Sequence, residues 1–237
     1  MNLQRDKSKN LQNKFSLNFE KFINFLIEFV KFERLKMDIE KTAKNLEKLG
    51  YKVSVFENKE KATQYLNSQI NGVSVGFGGS MSIKEMGLYE TLNSHNDTYW
   101  HWVLDKNLSA DETRKIALTT DIYISSVNGI SESGQIINID GTGNRIGALC
   151  YGHKKVYFVV GKNKIAPDFD SAMSRARNVA AVKNANRFGV KTPCVLNGDK
   201  CYDCKSKERI CRGFSVFYYP PNGCEYEVVL IDENLGF

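Results

Sequence analysis

No stretch of this chain reaches the ~18 uncharged apolar residues that a membrane span requires. The Phe-rich segment near the start comes closest, and Lys21, Glu28, Lys31, Glu33 and Arg34 interrupt it. The same segment lacks the apolar core of roughly 7 to 15 residues and the small-residue cleavage site of a secretory signal. A cytoplasmic protein with reduced thiols is therefore expected. No internal repeat is evident. Histidine is scarce: His95, His101 and His153 are widely spaced and match no metal or triad pattern. Also missing is a stripe of Lys and Arg backed by aromatics, the usual footprint of a nucleic-acid binder. The formal charge of +6 is scattered among acids, which supports a mild preference for anionic ligands and no nucleic-acid or membrane partner.

What is present is an ordinary globular composition, 42% hydrophobic and 25% charged over 237 residues, which excludes general disorder and allows a large core. Residues 1–36 read as a polar arm followed by an amphipathic helix. Phe15, Phe19, Phe22, Leu26 and Phe29 line one face of that helix, and Phe25 and Phe32 a second flank. The face packs either on its own domain or on a second copy of the chain as a homodimer. Residues 37–237 read as one α/β domain. A helix with Ile39, Ala43, Leu46 and Leu49 inward ends at Gly50. Tyr51 to Phe56 alternates as a strand, helical Ala62 to Ile70 follows, and Gly72 to Gly76 is a second strand. This alternation predicts a mostly parallel sheet with helices on both faces.

Ile122 to Val127 and Val156 to Val160 have the length and β-branched content of central strands. Between them a turn at Ser133 and Gly134 predicts an inserted hairpin. Asp168 caps a helix to about Ala185, with Ala172, Ala176, Val179 and Ala180 inward and basic residues outward. Two last strands, Phe214 to Tyr219 and Glu225 to Ile231, flank a Pro220-Pro221-Asn222-Gly223 turn.

Two glycine-rich loops carry the candidate chemistry. Gly76-Phe77-Gly78-Gly79-Ser80 joins a strand to a helix, and Asp140-Gly141-Thr142-Gly143-Asn144-Arg145 does so again. In a doubly wound sheet, ligands sit beyond the carboxyl ends of the strands, where the loops after Val75, Val127 and Val160 should meet. Gly78, Gly79, Ser80, Gly141 and Gly143 then offer backbone or hydroxyl donors to an anion. Asn128 and Asn144 orient it, and Arg145 and Lys164 neutralise it. Asp140 either orients Arg145 or stabilises its turn. Ser82 and Glu85 fit a capping box, which gives both a structural role. Glu132, in Ser131-Glu132-Ser133-Gly134, is either a solvated turn acid or a carboxylate presented as base or nucleophile.

The sharpest local pattern is Cys194, Cys201, Cys204 and Cys211, a C-x6-C-x2-C-x6-C array. Four soft ligands so close in sequence suit a zinc ion or an iron-sulfur cluster. The alternative is free thiols, with Cys201 and Cys204 as a redox pair. Cys150 and Cys224 read as packing residues.

With these residues in hand, the sequence resembles the LUD, or lactate-utilisation, domain family. The segments that carry the resemblance are GFGGSMSIKEMGLYETL at 76–92, TTDIYISSVNGISESGQIINIDGTGNRIGALCYGHKKVYFVVGKNKI at 119–165 and PCVLNGDKCYDCKSKERIC at 193–211. The resemblance implies a fold similar to ribose-5-phosphate isomerase, glucosamine-6-phosphate deaminase and the CoA transferases. It also implies a component of L-lactate oxidation working beside iron-sulfur partner subunits. Gly152-His153-Lys154 stands where Gly-Pro-Lys is the family pattern. Ser131-Glu132-Ser133-Gly134 is similar to the S-E-N-G segment of CoA transferases, whose glutamate becomes acylated; the third residue differs.

Overall fold

The computed structural model describes residues 39–237. The N-terminal arm and helix expected over 1–36 lie outside them. Two sheets organise the described chain. The larger has six parallel strands in the order β1-β10-β7-β4-β2-β3: β1 (Lys52–Phe56), β2 (Ser74–Phe77), β3 (Asp97–Trp100), β4 (Ile122–Ser125), β7 (Lys155–Gly161) and β10 (Glu225–Ile231). The expected central strands are β4 and β7, neighbours in the middle of the sheet.

Alternation along β7 explains the layers. Val156, Phe158 and Val160 enter one core with Ile39, Ala43 and Leu46 of α1 (residues 39–48) and Ala148 and Leu149 of α6 (Asn144–Cys150). Tyr157 and Val159 enter the other with α2 (Lys59–Gln69), α3 (Met81–Glu85) and α4 (Leu88–Asn93). Successive residues of a strand point to opposite faces, so a strand apolar throughout must be covered on both. Each fully buried Val, Ile or Phe contributes about 1.5–3 kcal/mol. Among the described residues no helix is long and apolar enough to cross a membrane.

The hairpin expected near Ser133 is present as β5 (Gly129–Ser131) and β6 (Ile136–Asp140), with Gly134 in the left-handed region at φ +98°. It belongs to a second sheet, β8-β5-β6-β9, completed by β8 (Ile165–Ala166) and β9 (Gly213–Phe217). The two last strands therefore separate: β9 pairs with β6, while β10 lies between β1 and β7.

Asp168 caps α7 (Phe169–Arg175) by accepting from the Ser171 amide at 2.7 Å. The helix continues through a π turn at Ala176–Ala180 into α8 (Ala181–Phe188). The extra residue of that turn rotates α8 about the helix axis. Ala172, Ala176, Ala180 and Ala181 are buried, and Val179, expected inward, is exposed. Other details also differ from the sequence reading. The cap of α3 is Ser80, whose hydroxyl accepts from the Ile83 amide at 3.3 Å, because the helix begins at Met81. Ser82 and Glu85 form no capping box: Ser82 is buried inside the helix, and Glu85 accepts from the Gly236 amide. Cys150, at the last position of α6, is exposed rather than packed, whereas Cys224 packs against the core.

The α7 helix sits directly on β5. A Cβ placed on Gly129 would lie 2.5 Å from the Ala172 carbonyl oxygen, so only glycine permits this approach. Gly129→Ala should lower stability by about 1–3 kcal/mol, the usual effect of overpacking. In a domain of this size that is a Tm lower by roughly 2–4 °C per kcal/mol, measured by circular dichroism on heating.

Candidate functional site

The carboxyl ends of β2, β4 and β7 open onto one cavity of about 630 Å³. The loop after β2 brings Gly79 and Ser80, the loop after β4 brings Ser126 and Asn128, and the turn after β7 brings Lys164. The second glycine loop supplies Asp140, Gly141, Asn144 and Arg145 to the same space. Ser80 and Asn144, far apart in sequence, thus line a shared cavity. Two of the expected glycines do not line it. Gly78 lies against Ser125 and Arg145 and accepts from the Trp100 indole at 3.1 Å through its carbonyl. Gly143 is the left-handed residue, φ +90°, that starts α6.

The side chains of the second loop are fixed by one another. Asp140 accepts from the amides of Gly141 (2.8 Å), Arg145 (2.9 Å) and Ile146 (3.2 Å). Of its two expected roles, the carboxylate therefore fills the turn-stabilising one. The Asn128 amide oxygen accepts from the Ile139 amide and from Arg145 Nη2, both at 2.8 Å, and that Nη2 also donates to the Ile139 carbonyl. Asn128 thus positions Arg145. The α7 helix fastens the neighbouring loops: Arg175 donates to the Asn128 carbonyl at 2.5 Å and to the Asn163 carbonyl at 2.6 Å.

Lys164 is buried, with 4% of its surface exposed. Its ammonium nitrogen donates to Ser82 Oγ and Ser126 Oγ, each at 2.9 Å. Burial, then the charges of Arg175 and Arg145, bring its pKa down to about 7. Burial likewise lowers the pKa of Arg145, with the Asp140 carboxylate opposing.

Among the lining residues that carry no sequence signal, four stand out. His101 and Trp102 follow β3, Arg114 lies on α5 (Ala110–Ala117), and Arg187 lies on α8. His101 Nδ1 and Arg114 Nε are buried and have no hydrogen-bond partner among the described residues. Burial, then the neighbouring Arg114, pushes the His101 pKa down to about 4, so the imidazole is neutral near pH 7. The Arg187 guanidinium stacks between Trp102 and Phe188, 4.6 and 4.2 Å from their ring centres, and donates to Asn184 Oδ1 at 3.0 Å. A Cβ on Gly79 would come within 3.2 Å of Trp102, so the first glycine loop lies close against that ring.

The lining is strongly cationic. Arg114, Arg145, Lys164, Arg187, Arg209 and Arg212 stand against two acidic side chains, Asp140 and Glu208. Arg209 pairs with Asp203 at 3.0 Å. Among the described residues, no carboxylate lies within ion-pair distance of Arg114, Arg145, Lys164 or Arg187.

Glu132 lies elsewhere. It is buried, its carboxylate pairs with the Lys41 ammonium, and its carbonyl accepts from Asn45 Nδ2 at 2.7 Å. It is not part of the cavity lining.

The cysteine segment forms one wall of the site through Arg209, Ile210 and Arg212. Behind that wall, Cys194, Cys201, Cys204 and Cys211 all line one small void of about 20 Å³, which Arg209 and Ile210 also border. Cys194 Sγ lies 3.2 Å from Thr192 Oγ1, and Cys201 Sγ accepts from the Asp203 amide at 3.4 Å. All six cysteines are free thiols. Among the described residues, no three His, Cys, Asp or Glu side chains stand close enough together to hold a metal ion.

Comparison with known proteins places this geometry in a family. No curated protein is similar enough to count as a relative. Solved structures similar to the chain include the following two. A DUF162 family protein from Deinococcus radiodurans has a TM-score of 0.47 at 11% identity, with 83% of this chain and 98% of that one covered. Ribose 5-phosphate isomerase from Plasmodium falciparum has a TM-score of 0.28 at 17% identity, with 46% of this chain and 52% of that one covered. The LUD domain matches residues 39–231, from the first described helix through β10. A match over so much of the chain makes this protein a member of the LUD domain family.

Proposed function

We propose that the cavity binds a small organic anion, a carboxylate, phosphorylated compound or CoA derivative, and that the protein serves organic-acid utilisation in the cytoplasm. The observation that carries this reading is the set of cations lining the cavity, Lys164 buried and Arg114 and Arg145 half-buried, with no carboxylate in ion-pair reach among the described residues. Burying an unpaired charge is strongly unfavourable. An anionic guest would supply the missing partner, and Arg114 Nε, unpartnered and buried, is a donor in waiting. Trp102 and Phe188 hold the Arg187 guanidinium as a planar fork suited to carboxylate or phosphate. L-lactate as the acid in question rests on the family resemblance.

A second reading has its own support. The four cysteines converge on one void, and Arg177 Nη2 lies 3.7 Å from Cys201 Sγ. Thiolate ligands drawn inward there would bind zinc or an iron-sulfur cluster, and the protein would act as an electron-transfer or assembly subunit beside iron-sulfur partners. With zinc, it would be a metal-stabilised interaction domain without turnover.

Thermal-shift titration with L-lactate, pyruvate, phosphate and CoA tests the first reading. At least one should raise the Tm. Arg187→Gln and Arg114→Gln should each weaken the effect by roughly ten-fold or more, as expected when a charged hydrogen bond is lost. No stabilisation by any of the four would count against the cavity as an anion site.

The charge on Lys164 should also be visible in stability. Its pKa is near 7 when folded and near the ordinary lysine value when unfolded. Between those values the unfolded chain binds the extra proton, so stability rises with pH across that window. Lys164→Met should therefore be more stable than wild type at pH 6, and its advantage should shrink as pH rises toward about 10, read from urea denaturation.

Anaerobic purification with metal analysis and a visible spectrum tests the second reading. A cluster would give a broad band lost in Cys201→Ser/Cys204→Ser, and zinc would give metal without colour. Metal-free protein from both preparations would end it.

A further inference from the structure

Lys164 is poorly placed to serve as a charge. Its nitrogen lies among Ser82, Ser126, Arg145 and Arg175; the one acid that acts on it, Glu85, is more weakly felt than either arginine and takes the Gly236 amide. The two serines are themselves buried, and Ser82 Oγ donates onward to the Leu235 carbonyl at 3.1 Å. Ser82 therefore accepts from Lys164. A neutral amine has two N–H bonds and one lone pair. With both N–H bonds directed at the serine hydroxyls, the lone pair occupies the remaining tetrahedral position. Lys164 lines the cavity, as does Ser126.

From this arrangement we infer that Lys164 is a nucleophilic amine that forms an imine with an anionic aldehyde or ketone bound in the cavity. The inference rests on the anion-binding reading above and deepens it by naming the reactive group of the guest. The lysine nitrogen bonds to the carbonyl carbon, and the carbon–oxygen bond breaks. Both amine protons leave with the carbonyl oxygen as water, and a C=N bond remains. No oxidant or reductant is required. Burial and neighbouring cations favour the free base of a lysine, the form with a lone pair to donate. Arg114, Arg187 and the unpartnered His101 Nδ1 lie in the same lining, available to a carboxylate or phosphate on the same guest. A lysine retained only to neutralise an anion would gain nothing from being kept among hydroxyls and arginines.

The test uses wild-type protein, so it does not depend on a variant folding. Glyoxylate and pyridoxal 5′-phosphate serve as probes, one a carboxylate and one a phosphate, each trapped with cyanoborohydride and located by peptide mass spectrometry. At pH 7 a surface lysine is almost wholly protonated and Lys164 about half so, and Lys164 should therefore be labelled roughly 1,000-fold faster per amine than surface lysines. Its rate should be half-maximal near pH 7, and acetate or phosphate should slow it by occupying the same space. Labelling by one probe and not the other identifies the anionic group the cavity accepts. Lys164→Met should lose only this adduct. If Lys164 stays unmodified by both probes, or reacts no faster than surface lysines, the imine proposal is overturned. If the anions still raise the Tm in that case, the binding site survives without its amine chemistry; if they do not, both readings fall together.

Discussion

The Asn128 side chain joins the two halves of the cavity. Its amide oxygen accepts from the Ile139 backbone and from the Arg145 guanidinium, tying the loop beyond β4 to the second glycine loop. Asp140 holds the same glycine loop by accepting from three of its amides. Together they keep the half-buried Arg145 guanidinium in place with no carboxylate in ion-pair reach among the described residues. The Asn128 amide oxygen and the Ile139 carbonyl satisfy one of its nitrogens, Nη2, by dipoles. The positive potential, offset in part by Asp140, faces the cavity.

Much of this was legible in the sequence because it depends on periodicity and chain direction. The β-branched runs at Ile122 and Val156 marked the middle of the sheet, and Ser133-Gly134 marked the hairpin. The rule that sheet ligands gather at the carboxyl ends of parallel strands brought Ser80, Asn144, Arg145 and Lys164 to one place. That prediction needed only the order of strands and helices.

The residues that escaped notice depend on side-chain direction across long separations. Arg187 lies on an alanine-rich helix whose basic residues read as solvated; it is exposed, and the rings of Trp102 and Phe188 hold it at the cavity wall. His101 and Arg114 carry no local motif; their partners are missing because the cavity is there, which is a fact about three dimensions. Ser82 was read as part of a cap because S-x-x-E is a common helix start, and the true cap two residues earlier released it to meet Lys164. Glu132, in a suggestive tetrapeptide, has its carboxylate paired with Lys41 outside the cavity lining, which no local sequence pattern announces.

The π turn at Ala176–Ala180 also sets the bearing of α8 beyond it. One residue of helix corresponds to about 100° of azimuth. The surplus residue therefore decides that Asn184 and Arg187 look into the cavity while Val179 looks out. In evolutionary terms, a lineage that lost a single codon from this segment would keep a helix of nearly the same length and composition, yet swing its arginine away from the cavity.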